Sequence, residues 1–287
     1  HSRTGSFTQL AADEFVRMNI YTYDGSFEGL LSAVFQIFAE RIVPVDIIVE
    51  SHNQLGLLDQ NRRVATDDAK AGRVLSALDR KSDGRASLLV YKMHLSELPQ
   101  FEISIFRFIK TIMDSRQGDV LGNYANPYIA EALRIEKMIG REVHRMHAFV
   151  RFQKSANGIF HAAVNPDFNV LPLIGSHFEK RYADQRWVIL DTLRHYALYY
   201  DLESTQFIDA NHPLFEGLGT NVNDTDWRDA KEDLYQQLWV SYFHSVNIQQ
   251  RNNTKLHLRH MPRRYWPYLI EKSLNEKSRS LHDSKPS

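Results

Sequence analysis

The stretch Arg134-Ile-Glu-Lys-Met-Ile-Gly-Arg-Glu-Val-His-Arg-Met-His147-Ala-Phe-Val-Arg-Phe152 is where the chain changes character. Up to Met146 the apolar residues recur at helical spacing, with Ile135, Ile139, Val143 and Met146 on one side. Arg134, Lys137, Arg141 and Arg145 fall on another, three or four residues apart. From His147 the period becomes two, the signature of a half-buried strand. This predicts strands at His147–Phe152, Ile159–Val164, Trp187–Asp191 and Tyr196–Tyr200. Asn157-Gly158 is a hairpin signal between the first two, and Leu171–Tyr182 reads as a helix laid across the sheet.

Upstream, Asn19–Tyr23 and Val45–Glu50 are rich in Ile, Val and Tyr and read as strands. Between them Ser26 can cap a helix that lines up Phe27, Leu30, Leu31, Val34, Phe35 and Phe38. Further helices are predicted over 66–80 with Thr66 as cap, over 85–95, and over 100–116. The last is apolar almost all round, as a buried central helix would be. Asn126-Pro127, a cap followed by a first-turn proline, opens the helix that reaches the quoted stretch. Beyond the sheet, Asp226–Asn247 reads as a helix. The fold class is therefore α+β: a helical N-terminal half with a short β-α-β start, a central antiparallel sheet, and C-terminal helices.

Residues 1–17 lack periodicity and read as a tag or non-native leader, with Met18 as the natural start. Residues 18–271 form one α+β domain, divisible into a helical part over 52–146 and a sheet-containing part over 147–271. Residues 272–287 read as a flexible polar tail.

The chain has 287 residues and no cysteine, and 43% of it is hydrophobic. That is enough to build a core, which excludes wholesale disorder. The missing cysteines exclude disulfides, cysteine nucleophiles and thiolate-ligated zinc or iron–sulfur centres. No apolar run is long enough to span a bilayer and no signal peptide is evident, so no membrane partner and a cytoplasmic location are expected.

The 35 basic and 35 acidic side chains cancel in sum but not along the chain. Residues 134–154 carry six basic and two acidic residues, net +4; 201–233 carry two and nine, net −7; 251–287 carry nine and three, net +6. Such blocks are often only solvated faces. The two basic ones also carry aromatics, the composition of a nucleic-acid-binding surface. Arg134, Arg141, Arg145, Arg151 and Arg181 are the candidate phosphate contacts in the first region. In the second, Arg259, Arg263 and Arg264 can meet phosphate, and Tyr265 and Trp266 can stack on an exposed base. Those aromatics could equally anchor the segment to the core.

No dinucleotide, phosphate-loop or nucleophile-elbow motif occurs, and no cofactor is expected. The two H-x-x-H pairs, His144/His147 and His257/His260, arise readily by chance among 13 histidines, so no metal site is assigned. Asp167, Asp184 and Asp191 lie around the expected sheet; with His147 or His177, Asp184 or Asp191 would be the weak candidates for acid–base chemistry. Aspartates in turns more often shape loops.

Several motifs together resemble a bacterial domain-of-unknown-function family labelled as DNA metabolism or DNA repair proteins. They are Tyr21-Thr-Tyr-Asp-Gly-Ser-Phe-Glu-Gly-Leu-Leu31, Arg145-Met-His-Ala-Phe-Val-Arg-Phe152, Pro166-Asp167, His177-Phe178, Arg181-Tyr-Ala-Asp-Gln-Arg-Trp187 and Arg259-His-Met-Pro-Arg-Arg-Tyr-Trp266. The resemblance runs from Met18 to Glu271. It implies a radical-SAM protein as partner, and DNA as ligand. Some members of that family are fused to a uracil-DNA glycosylase-like domain, which is not evident here. It carries no established catalytic residues.

Three readings follow: a DNA-binding accessory protein working with a radical-SAM enzyme, which is the reading adopted; a nucleic-acid-processing hydrolase or glycosylase using Asp and His; or a protein-interaction scaffold without nucleic-acid contact, its acidic stretch 201–233 docking a basic surface.

Overall fold

A computed structural model describes residues 19–52, 60–115, 120–155, 158–209, 212, 265, 268 and 269. The expected leader, the helix at Asp226–Asn247, the flexible tail and most of the acidic stretch lie outside the described residues. The chain divides into two compact units, His1–Glu136 and Lys137–Ser287.

The first unit begins with β1 (Asn19–Tyr23), α1 (Phe27–Glu40), β2 (Asp46–Val49) and β3 (Gln60–Arg63), then α2 (Asp68–Ser82), α3 (Arg85–Ser96) and α4 (Phe101–Asp114). The three strands are parallel with β1 central, in the order β2-β1-β3. Ser26 caps α1 as its sequence predicts, its hydroxyl accepting from Gly29 N at 2.9 Å. Leu30, Leu31, Val34 and Ile37 of α1 are buried, as are Ile105, Phe106, Phe108 and Ile109 of α4.

Two local expectations in this unit change. The cap of α2 is Asp67, which accepts from Lys70 N at 3.1 Å. Thr66 instead donates its hydroxyl to Asp24 at 2.7 Å, binding the loop after β3 to the loop after β1. Strand β3 has the polar sequence Gln60-Asn-Arg-Arg63 and carries no strand signal. It forms because β1 supplies its backbone partners and because Glu40 meets both Arg62 (2.9 Å) and Tyr21 (2.6 Å).

A long helix, α5 (Pro127–Phe149), leads from the first unit into the second. Asn126 caps it, accepting from Tyr128 N at 3.0 Å. The second unit continues with β4 (Gln153–Lys154), β5 (Phe160–Val164), α6 (Leu171–Arg181), β6 (Trp187–Asp191), β7 (Tyr196–Tyr200) and β8 (Thr205–Asp209), in the order β4-β5-β6-β7-β8.

The strand expected at His147–Phe152 does not form: 147–149 are the end of α5, and 150–152 lie between α5 and β4. The buried line Ile135, Ile139, Glu142, Met146 and Val150 keeps helical spacing, and Val150 N reaches Met146 O at 3.1 Å. The alternation of Phe149 and Arg151 was an accident of a helix end. Only Gln153 and Lys154 pair with β5, so the hairpin exists with a shorter first strand. Asn157 lies outside the described residues; Gly158 adopts φ +84°, as a tight turn needs.

The class is α+β, with helices in the N-terminal half and strands later. The sheet differs from the expected antiparallel one in having a fifth strand, β8, which the sequence reading did not include, and in the direction of one pairing. β5 and β6 run parallel, because α6 is a crossover between them. Gly175 lets α6 lie against β7, where an added Cβ would come within 3.0 Å of Leu198 Cδ2.

Candidate nucleic-acid interface

On α5 the exposed residues are Pro127, Ala130, Arg134, Lys137, Gly140, Arg141, His144 and Ala148. Their three-and-four spacing makes one line along the helix, and every charged residue in it is a cation. Of the expected stripe, Arg134, Lys137 and Arg141 lie on this line. Arg145 does not: it turns toward Glu142 at 3.1 Å. His144 takes its place.

Glu142 is fully buried. A carboxylate out of water needs several donors, or its desolvation destabilises the fold. It accepts from Arg145, from Asp167 N at 2.9 Å, and from the phenol of Tyr265. Tyr265 is 2% exposed, so its ring sits in the core of the second unit rather than being available to stack on a base. Phe149 packs against it at 5.7 Å. Nearby, Tyr268 and Thr192 share a hydroxyl hydrogen bond of 3.2 Å, and Leu269 is buried. The closing motif therefore meets α5 through an anchor. Arg259, Arg263, Arg264, Trp266 and the His257/His260 pair lie outside the described residues.

The parallel strands β5 and β6 end side by side, and their loops are tied together. Arg194 donates to Asp191 (2.9 Å), to Pro166 O (3.2 Å) and to Asp167 O (3.3 Å). Thr192 N reaches Val164 O at 2.9 Å, and Tyr196 donates its phenol to Asn169. Asp191 is fully buried; one oxygen accepts from Leu193 N and Arg194 N, the other from the Arg194 guanidinium. That is the work of a turn-former. Asp184 is exposed and accepts from the neighbouring Gln185 at 3.3 Å. Asp167 is exposed at the tip of the tied loop.

The two histidines of the acid–base reading do meet, but with each other. The rings of His147 on α5 and His177 on α6 stack at 3.9 Å and 16°. His147 Nε2 is buried and has no hydrogen-bond partner among the described residues. Burial, then the neighbouring His177 and His144, hold its imidazole below the usual histidine range. Arg151 donates to Ala148 O at 2.7 Å and to Val150 O, closing the end of α5. Arg181 is exposed, 5.8 Å above the Tyr182 ring.

Residues 99–271, more than half of the chain, match the family model DUF4130, described as a domain of unknown function. The chain belongs to this family. The DUF4130 match takes in α4, α5 and the whole five-stranded sheet, and so contains the acid-poor face of α5 and the Glu142 anchor. The opening motif at Tyr21–Leu31 precedes it. No curated protein matches the chain. Among the described residues no helix is long and apolar enough to cross a membrane.

Glu142, Arg194 and Gly140 escaped the sequence reading as site residues, and His144 was weighed there only as half of an H-x-x-H pair. Glu142 left a legible signal, an acid on the apolar spacing Ile135-Ile139-Glu142-Met146. Arg194 left little, because besides the nearby Asp191 its partners Pro166 and Asp167 lie 28 and 27 positions away.

Proposed function

We propose that this DUF4130 chain is a DNA-binding accessory protein of DNA repair or DNA metabolism, working beside a radical-SAM enzyme. The observation that carries the DNA part is the exposed line of α5, with three cations, one histidine and no acid. Two half-buried acids flank the line: Glu131 near Arg134, and Glu136, which Lys92 neutralises at 2.9 Å. A helix face of this kind lays positive charge along a phosphate backbone and displaces its condensed counterions. The protein as a whole is neutral, so attraction is local to this face and long-range steering is weak.

The radical-SAM part rests on the family resemblance alone. The test of DNA binding is a salt titration of the whole chain on a labelled duplex. Affinity should fall linearly on a log–log plot, with a slope of about −0.9 per phosphate contacted. A flat response, or no binding at low salt, overturns the reading.

A further inference from the structure

Gly140 sits in the middle of the exposed line of α5, between Lys137 and the pair Arg141 and His144. A glycine inside a helix is a poor helix former, and one is kept where a side chain would be in the way. The described residues supply no such reason: a Cβ at Gly140 would meet none of their atoms within 4 Å. Gly72 on α2 has the same room, but Asp68 and Asp79 are exposed along its helix, so its surroundings mix both signs. At Gly140 the charged neighbours on the exposed line are all cations, and the acid one turn before it, Glu136, is held by Lys92.

We infer that Gly140 is a close-approach point, where the phosphate backbone of a nucleic-acid duplex crosses α5 against the helix main chain. This inference rests on the proposed DNA-binding function and names the geometry of that site. Lys137 and Arg141 flank the crossing one turn apart and reach phosphates on either side of it. With no side chain at Gly140, the backbone comes near enough for both cations to pair directly. The ligand is a duplex because the cations follow one straight line along a helix, which matches a regular phosphate backbone, and because the aromatics at the end of α5 and in the anchor are engaged in the fold. Tyr265 is bound to Glu142, Phe149 packs on Tyr265, and Phe152 packs on Phe178, Tyr182 and Trp187. A single strand held without stacking platforms or a groove is held weakly.

The experiment compares the whole wild-type chain with Gly140→Ala and Gly140→Leu. It measures thermal unfolding and, by anisotropy, binding to a 20-base-pair duplex and to a 20-nucleotide thymidine strand across a salt series. Both variants should unfold at a higher temperature than wild type, because alanine and leucine are better helix formers. Gly140→Leu should nevertheless bind the duplex about tenfold more weakly, with an unchanged salt slope, since no cation is lost. Gly140→Ala should fall between. Wild-type affinity in the Leu variant, or tighter wild-type binding to the thymidine strand than to the duplex, overturns the inference and leaves DNA binding standing. Absence of wild-type binding to either probe overturns both.

Discussion

Tyr265 donates its phenolic hydrogen to Glu142, a residue 123 positions earlier in the chain. Both groups are buried, and the same carboxylate also holds Arg145 and the backbone of Asp167. One carboxylate thus binds together α5, the loop after β5 and the closing motif. Glu142 is an architectural acid, and its chemistry is that of an acceptor.

Removing one donor from this acceptor leaves buried charge undersatisfied. Tyr265→Phe keeps the ring and loses only the hydroxyl, and it should lower stability by about 1–3 kcal/mol. Urea unfolding followed by circular dichroism measures it. An unchanged midpoint would show that water replaces the phenol.

Arg141 and Arg145 are neighbours on α5 with opposite expected behaviour. Arg141→Glu should leave stability within about 0.5 kcal/mol of wild type, because an exposed side chain is changed. It should weaken duplex binding and make the salt slope shallower by about 0.9. Arg145→Ala should do the reverse, destabilising the fold through Glu142 while shifting DNA affinity less. Paired unfolding and anisotropy measurements on the two variants separate these roles.

The stacked histidines make stability depend on pH. His147 has a lower proton affinity in the folded protein than in the unfolded chain, because burial and His177 oppose its charge. The unfolded state therefore takes up more protons, and stability rises with pH. The contribution is complete above the ordinary histidine value of about 6.5 and is lost as pH falls below it. His147→Phe, which keeps a ring against His177, should flatten a plot of unfolding midpoint against pH between about 5 and 7. An identical slope in the variant would assign the effect to another group.

Gly29 offers the contrast to Gly140. A Cβ at Gly29 would come within 2.2 Å of Asp24 Oδ1 and 2.9 Å of Ser26 Oγ, so these side chains have to swing away and their hydrogen bonds, the α1 cap among them, are lost. Gly29→Ala should destabilise the first unit by about 1–3 kcal/mol despite its better helix propensity. Hydrogen exchange localised to β1 and α1 checks that the loss lies there; uniform protection would contradict it.

Much of this architecture is legible in the chain because it is set by local rules. The Ser26 and Asn126 caps, the apolar side of α4 (its Arg107, Lys110 and Asp114 are exposed, so it is not apolar all round as expected) and the strands Trp187–Asp191 and Tyr196–Tyr200 follow from capping chemistry and from periods of 3.6 and 2. The cation spacing on α5 is equally local, so Arg134, Lys137 and Arg141 could be placed on one face without a structure. What failed needed long-range information. At His147–Phe149 the two periods overlap for a few residues, and packing onto α6 decided in favour of helix. Polar β3 became a strand because β1 offered it backbone partners, and β5 met β6 in parallel because α6 crosses over. Whether a charged group faces solvent or a partner was decided the same way. Arg141 and Arg145 look alike in sequence, and only the arrival of Asp167 and Tyr265 at Glu142 makes one of them surface and the other structure. Burial of a charge is a property of everything packed around it, and a neighbour 123 positions away leaves no trace in local spacing.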